Sequence, residues 1–192
     1  SQGLELDGRF AASDNLTLSY SFLYLDAFYD DYAGANCNPD EITAGFSTCT
    51  AQVPNGMGGF MDQETTNRGG SAIEYSTDIE FNIGATYRIP LEIANGLNLD
   101  LSGELYHNNG YNPSSEYSTR LVQDSFQRVN LRATLSPMNG PWSVSLFGEN
   151  ITDEIIIVEV RPGGQNGDDA NVVIAQKGAA YGVQVRYDFG AF

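Results

Sequence analysis

The chain has 192 residues, with 25 acidic against 9 basic side chains and a formal net charge of −16. That balance argues against a nucleic-acid partner, because neutralising phosphate needs clustered Lys and Arg. Apolar residues make up 41% and the mean hydropathy is −0.28; no stretch approaches the ~18 consecutive apolar residues of a membrane helix, but a transmembrane barrel averages lipid-facing with lumen-facing positions and stays open.

The 11 Tyr, 10 Phe and 21 Gly favour strands, and periodic runs of strong helix formers are absent. In chain order, the first expected strand covers about 3–11, with Leu4, Leu6, Gly8 and Phe10 opposite Glu5, Asp7 and Arg9. After "ASDN" a second covers about 15–29, with Leu16, Leu18, Tyr20, Phe22 and Tyr24 opposite Thr17, Ser19 and Ser21. A long polar segment, about 30–74, reads as loop from "NPD", "VPNGMGGF" and "NRGG". A third strand, about 75–89, sets Ile79, Phe81, Ile83, Ala85, Tyr87 and Ile89 against Glu80, Asn82, Gly84, Thr86 and Arg88. After "PLEIANG", a fourth, about 97–107, sets Leu97, Leu99, Leu101 and Leu105 against Asn98, Asp100, Ser102, Glu104 and Tyr106. A fifth, about 125–136, sets Val129, Leu131, Ala133 and Leu135 against Arg128, Asn130, Arg132 and Thr134. "PMNGP" leads to a sixth, about 142–151, with Trp142, Val144 and Leu146 opposite Ser143, Ser145 and Glu149. The last strand falls within 179–192, where Tyr181, Val183, Val185, Tyr187 and Phe189 alternate with Gly182, Gln184, Arg186 and Asp188. Such alternation gives each strand one apolar and one polar face.

Short connections ("ASDN", "PLEIANG", "PMNGP") alternate with long ones near 30–74, 108–124 and 152–177. All short turns then fall at one end of the sheet and all long loops at the other, as in outer-membrane barrels. A soluble sandwich would have to bury one face dry, and the polar face carries too many charges for that. The expected fold is therefore all-β, an antiparallel up-and-down transmembrane barrel segment of about seven strands, open rather than closed by itself. On this expectation the apolar set faces lipid, and Glu80, Arg88, Asp100, Glu104, Arg128, Arg132, Glu149 and Arg186 face a wet lumen, where acids and bases can pair across the ladder.

Cys37 and Cys49 are the two cysteines, in a segment rich in Asn, Thr, Gly and Pro. A zinc site from these alone would lack ligands; a disulfide closing a surface loop in an oxidising compartment is the simpler expectation. "SQGLELDGRF" already reads as strand, so any export signal is expected upstream.

The run "FQRVNLRATLSPMNGPWSVSLFGENITDE" resembles the penultimate hairpin of TonB-dependent outer-membrane receptors, in which Trp and alternating apolar residues precede Gly-x-Asn-Leu-Thr-Asp-Glu. The matching positions are Trp142, Val144, Leu146, Gly148, Asn150, Ile151, Thr152, Asp153 and Glu154. The terminal strand from Tyr181 to Phe189, the opening "GLELDGRF" and "YSTDIEFNIGATYRIP" are similar to segments of the same barrels. The resemblance implies that residues 1–192 form the C-terminal part of such a receptor, within a barrel of about 22 strands, the plug domain and N-terminal strands being absent. It implies outer-membrane localisation and uptake of a scarce solute, such as a metal chelate, vitamin or glycan. The implied partners are outer-membrane lipid, the remaining strands and plug, TonB acting through that plug, and the solute. It also places Tyr187 and Phe189 in the periplasmic aromatic girdle.

The alternative is a non-transporting barrel segment: a passive pore, adhesin or structural anchor. An enzyme is not expected, since G-x-x-x-x-G-K-[ST], G-x-S-x-G and H-E-x-x-H are all missing from the sequence, and neither a cofactor nor a metal is expected. His107 reads as a polar residue at a loop edge. Asp30–Asp31 and Asp168–Asp169 read as solvated acids without EF-hand spacing. The loop aromatics Phe46, Phe60, Tyr111 and Tyr117 are the candidate solute contacts.

Overall fold

The computed structural model describes residues 1–37, 41, 49, 51–54, 57–63, 65–93, 96–114, 121–162 and 171–190. Its main feature is a seven-stranded antiparallel sheet built as a meander. The strands are β1 (Gln2–Ala11), β2 (Leu16–Asp26), β7 (Ile79–Leu91), β8 (Leu97–Asn108), β9 (Phe126–Pro137), β10 (Trp142–Glu149) and β13 (Ala180–Tyr187), in that spatial order. All seven were expected, with ends shifted by a few residues. The second strand stops at Asp26 rather than near residue 29, and the third begins at Ile79 rather than near 75. β1 and β13 are the two edges, so the sheet is open.

The ladders run without a shift in register, and this sorts the side chains. Phe22 lies opposite Phe81, Tyr87 opposite Leu101, Leu99 opposite Leu135, Val144 opposite Val185, and Leu146 opposite Val183. The other face pairs Thr86 with Ser102, Arg88 with Asp100, Ser102 with Arg132, and Ser145 with Gln184. Because side chains alternate with a period of two, an unbroken register keeps each set whole. Arg88 makes a bidentate ion pair with the directly opposed Asp100, at 2.7 and 2.9 Å.

The strands are also staggered. Following the ladder from Gly182 leads through Phe147, Arg132, Ser102, Thr86 and Thr17 to Ala11. The last residue of β1 is thus level with a residue near the start of β13. Progressive slip of this kind is what tilts strands in a barrel wall.

Short connections, 12–15, 92–96 and 138–141, lie at one end of the sheet; long ones, 27–78, 109–125 and 150–179, lie at the other. The long segments contain ordered structure that their composition does not announce. β3 (Ala35–Asn36) pairs with β6 (Thr65–Thr66), β4 (Ala51–Pro54) with β5 (Phe60–Gln63), and β11 (Ile157–Pro162) with β12 (Asn171–Ala175). They are stitched together by backbone hydrogen bonds from Tyr75 N–H to the Asn112 carbonyl, 2.9 Å, and from Val160 N–H to the Pro113 carbonyl, 2.8 Å.

This loop layer holds most of the packed interior. Among the described residues the buried apolar side chains are Ala27, Ala35, Cys37, Cys49, Leu97, Phe126, Ile156 and Val160, and of these only Leu97 and Phe126 belong to the seven-stranded sheet. Among the described residues nothing covers the sheet's own apolar face: Phe10 is 60% exposed, Leu146 59%, and Val185 72%.

Cys37 and Cys49 are joined in a disulfide, with Cα atoms 5.8 Å apart. Beside it the nearly buried Arg68 guanidinium donates to both Glu41 carboxylate oxygens and to the Asn36 carbonyl. Closing so short a loop stabilises it by about 3 kcal/mol in the chain-entropy description. Unreduced protein should carry no alkylatable thiol by mass spectrometry, and reduction should loosen residues 27–78 while strand content by circular dichroism persists. Two free thiols in freshly extracted protein would contradict the bond.

Candidate functional site

A hollow of about 630 Å³ opens on the polar side of the main sheet. It is lined by Asn82, Glu104, Arg128, Asn130, Arg132, Phe147 and Glu149 from the strands, with Gln176 and Lys177 leaning in from the last long connection. The polar face is therefore the concave one. Glu104 accepts a hydrogen bond from the Asn82 amide at 2.7 Å. The Arg132 guanidinium lies 4.9 Å from the Phe147 ring centroid and donates to Gln184 at 3.0 Å. Arg128 lies 5.2 Å from the Tyr106 ring centroid and reaches Gln176 at 3.5 Å, the long limit of a hydrogen bond.

The sequence placed Glu104, Arg128, Arg132 and Glu149 on one face, and they meet in this hollow. It did not indicate Phe147, an apolar residue at a polar-face position directly opposite Arg132. The signal was available: Phe147 faces Gly182 across the β10–β13 ladder, and a Cβ on Gly182 would come within 2.5 Å of the ring. The missing side chain leaves the space in which the ring lies.

The loop aromatics do not gather there. Phe46 and Tyr117 lie outside the described residues, and for Phe60 only its strand pairing in β5 is described. Tyr111 is half-buried in the loop layer; its hydroxyl donates to the Ile157 carbonyl at 2.7 Å, and burial pushes its phenol above the usual pKa. That is a packing position rather than a free contact. Burial, with the Glu159 charge, also raises the Tyr75 phenol, while hydrogen bonding to Arg161 holds Glu159 below the usual carboxylate range.

His107 sits at the end of the fourth strand, as expected, one residue before the last of β8. It lies within β8, opposite Phe81, on the apolar face, its ring stacked on Phe81 at 4.8 Å with Nδ1 buried and unpartnered. Its odd position puts it in phase with Leu101 and Leu105, and the period of two overrides its polarity. Asp31 accepts a hydrogen bond from Asn67 at 3.1 Å, and Asp168 and Asp169 lie outside the described residues. Among the described residues the only metal-capable group is Cys37, Glu41 and Cys49. The disulfide and the Arg68 ion pair occupy those atoms.

The Gly148-to-Glu154 segment forms a structural clamp. β10 ends at Glu149, and Asn150 turns the chain with φ of 48°, a left-handed conformation that Asn tolerates better than most residues. Its buried amide is fully used. Nδ2 donates to the carbonyls of Glu154, 2.9 Å, and Lys177, 3.4 Å. Oδ1 accepts from the Thr152 hydroxyl, 3.2 Å, and Glu154 N–H, 3.1 Å. The single Thr152 proton is shared between Asn150 and the Gln127 carbonyl of β9, 2.9 Å, the shorter contact, and Asp153 accepts from Ala179 N–H, 2.8 Å, just before β13. One turn thus ties three neighbouring strands together.

Replacing Asn150 with Ala leaves buried partners unsatisfied and should cost about 2–3 kcal/mol. Asn150→Asp keeps an acceptor but turns a carboxylate towards two carbonyls, so it should not restore stability. Urea unfolding compares the three proteins, and an Asn150→Ala loss within experimental error would refute the clamp. No family model matches the chain, and neither a curated protein nor a solved structure matches it.

Proposed function

We propose that this chain is wall of an outer-membrane β-barrel, the C-terminal portion of a TonB-dependent receptor that takes up a scarce solute. The observation that carries the membrane part is the apolar face. From Leu4 and Leu6 through Leu18, Ile83, Leu101, Leu131 and Leu146 to Val183 and Val185 it spans all seven strands without a Lys, Arg or Glu in the ladder interior, and no described segment covers it. Water is a poor neighbour for such a surface: fully burying one large aliphatic side chain gains roughly 1.5–3 kcal/mol. Apolar patches of this extent mark membrane or partner contact.

Three further features support the reading. β7, β8 and β9 run 13, 12 and 12 residues, enough for the ~9–11 that a tilted strand needs to cross a bilayer. The ladders are staggered, as the strands of a tilted wall must be. At the short-connection end Trp142 faces Tyr187, and Tyr187 packs on Phe189 at 4.7 Å, as an interfacial aromatic girdle would. The receptor part rests on the Trp142-to-Glu154 resemblance and on the clamp those residues build.

The edges define what the rest of the barrel must supply. β1 leads into a short connection and β13 follows a long one, so the two run in the same direction. They cannot pair with each other in an all-antiparallel barrel. An odd number of further strands must close the wall, because an unpaired backbone group in lipid costs several kcal/mol.

Leu101 and Ser102 lie side by side in mid-β8 on opposite faces. Leu101→Arg should cost about 2–4 kcal/mol if near the bilayer midplane, while Ser102→Arg should be tolerated. Folding titrations of the complete barrel into bilayers compare the two. Equal costs, or a larger one at Ser102, would put the wrong face in lipid.

A further inference from the structure

The basic side chains are distributed unevenly. Arg68, Arg88, Arg161 and Arg186 are each ion-paired, to Glu41, Asp100, Glu159 and Asp188. Among the described residues Arg9, Arg128, Arg132 and Lys177 make no ion pair, and the last three line the hollow. In a chain of net charge −16 this is a local excess of unneutralised cation. Two acids, Glu104 and Glu149, share the hollow. Glu104 is turned towards Asn82, and neither acid lies within ion-pairing distance of Arg128 or Arg132.

The two guanidiniums are held rather than free. Phe147, seated over Gly182, and Gln184 position Arg132; Tyr106 and Gln176 position Arg128. Arg128 Nε is buried without a hydrogen-bond partner. Four residues apart on one strand, the two Cα atoms are about 13 Å apart, with Asn130 on the same face between them. Planar guanidiniums bind carboxylate and phosphate bidentately, with geometric selectivity. On the neighbouring strands Ser19, Asn82, Thr86 and Ser102, the last directly beside Arg132, offer hydroxyl and amide groups to the same hollow, which suit a hydroxylated body.

The geometry points to an oxyanion-binding site, in which Arg128, Arg132 and Lys177 receive the carboxylate or phosphate of a polyhydroxylated solute such as an acidic sugar. This deepens the solute-uptake reading and rests on the wet lumen it contains.

The test titrates the detergent-solubilised complete barrel with glucuronate, glucose and inorganic phosphate by calorimetry. Glucuronate should bind at least tenfold more tightly than glucose, and its affinity should fall with added salt. Arg128→Gln with Arg132→Gln should weaken it tenfold or more. The Arg128→Lys, Arg132→Lys double variant should retain part of the affinity, and Arg186→Gln, outside the hollow, should retain all of it. Heat-modifiable migration on cold gels reports folding in each case. Glucose binding as tightly as glucuronate, wild-type protein binding neither anion, or folded Lys and Gln double variants behaving alike would overturn the site. Phosphate binding as tightly as glucuronate would overturn the hydroxylated-body part. Failure here leaves the Leu101–Ser102 asymmetry standing, whereas reversal of that asymmetry removes the lumen itself.

Discussion

Register carries the structure. Seven strands pair through six ladders without a slip, so a side chain's face is fixed by whether its position is odd or even within each strand. Charges as far apart in sequence as Asp7 and Arg186 therefore share one face, and Leu6 and Val185 share the other. A single-residue slip of β7 or of β9 would carry Arg88 or Arg132 to the apolar side together with its whole strand. The Arg88–Asp100 pair and the Asn150 clamp each bind one strand to the next at a defined position, so they oppose such slips locally.

The consequence is an inverted distribution of packing. Among the described residues the sheet's apolar face is bare, and the buried residues collect around Val160, Ile156 and the disulfide in the long connections. A loop layer with its own disulfide and hairpins can remain ordered at one end of a wall without resting on the sheet's apolar surface. The concave polar face, left free of a packed core, is where Arg128 and Arg132 stay unneutralised.

The main strands were legible because each repeats apolar residues at every second position, from the five residues Trp142 to Leu146 in β10 to the eleven of Ile79 to Ile89 in β7, a signal that survives at the level of one sequence. Their faces followed from the same period. The small hairpins were not legible. Segments such as Ala35–Asn36 and Thr65–Thr66 are too short to show a period, and their Asn, Thr and Gly content reads as loop. The hollow was half legible. Its charges announced their face, but Phe147 broke the binary pattern, and only the ladder partner Gly182 explains it. His107 was placed at the end of its strand, but its apolar face was not read, although its phase with Leu105 was plain. The four bonds of the Asn150 amide depend on Lys177 and Glu154 being brought beside it, which no local pattern reveals.

The central claim is that one face of this sheet meets lipid and the other water. Spin labels at single cysteines along 97–108, introduced into the complete barrel in bilayers, test it most directly through collision with oxygen and with a polar nickel chelate. Labels at the Leu99, Leu101, Gly103 and Leu105 positions should favour oxygen, and those at Asp100, Ser102 and Glu104 should favour the chelate, alternating residue by residue. Equal access to the chelate on both faces, or alternation in the opposite phase, would contradict a membrane-facing apolar surface.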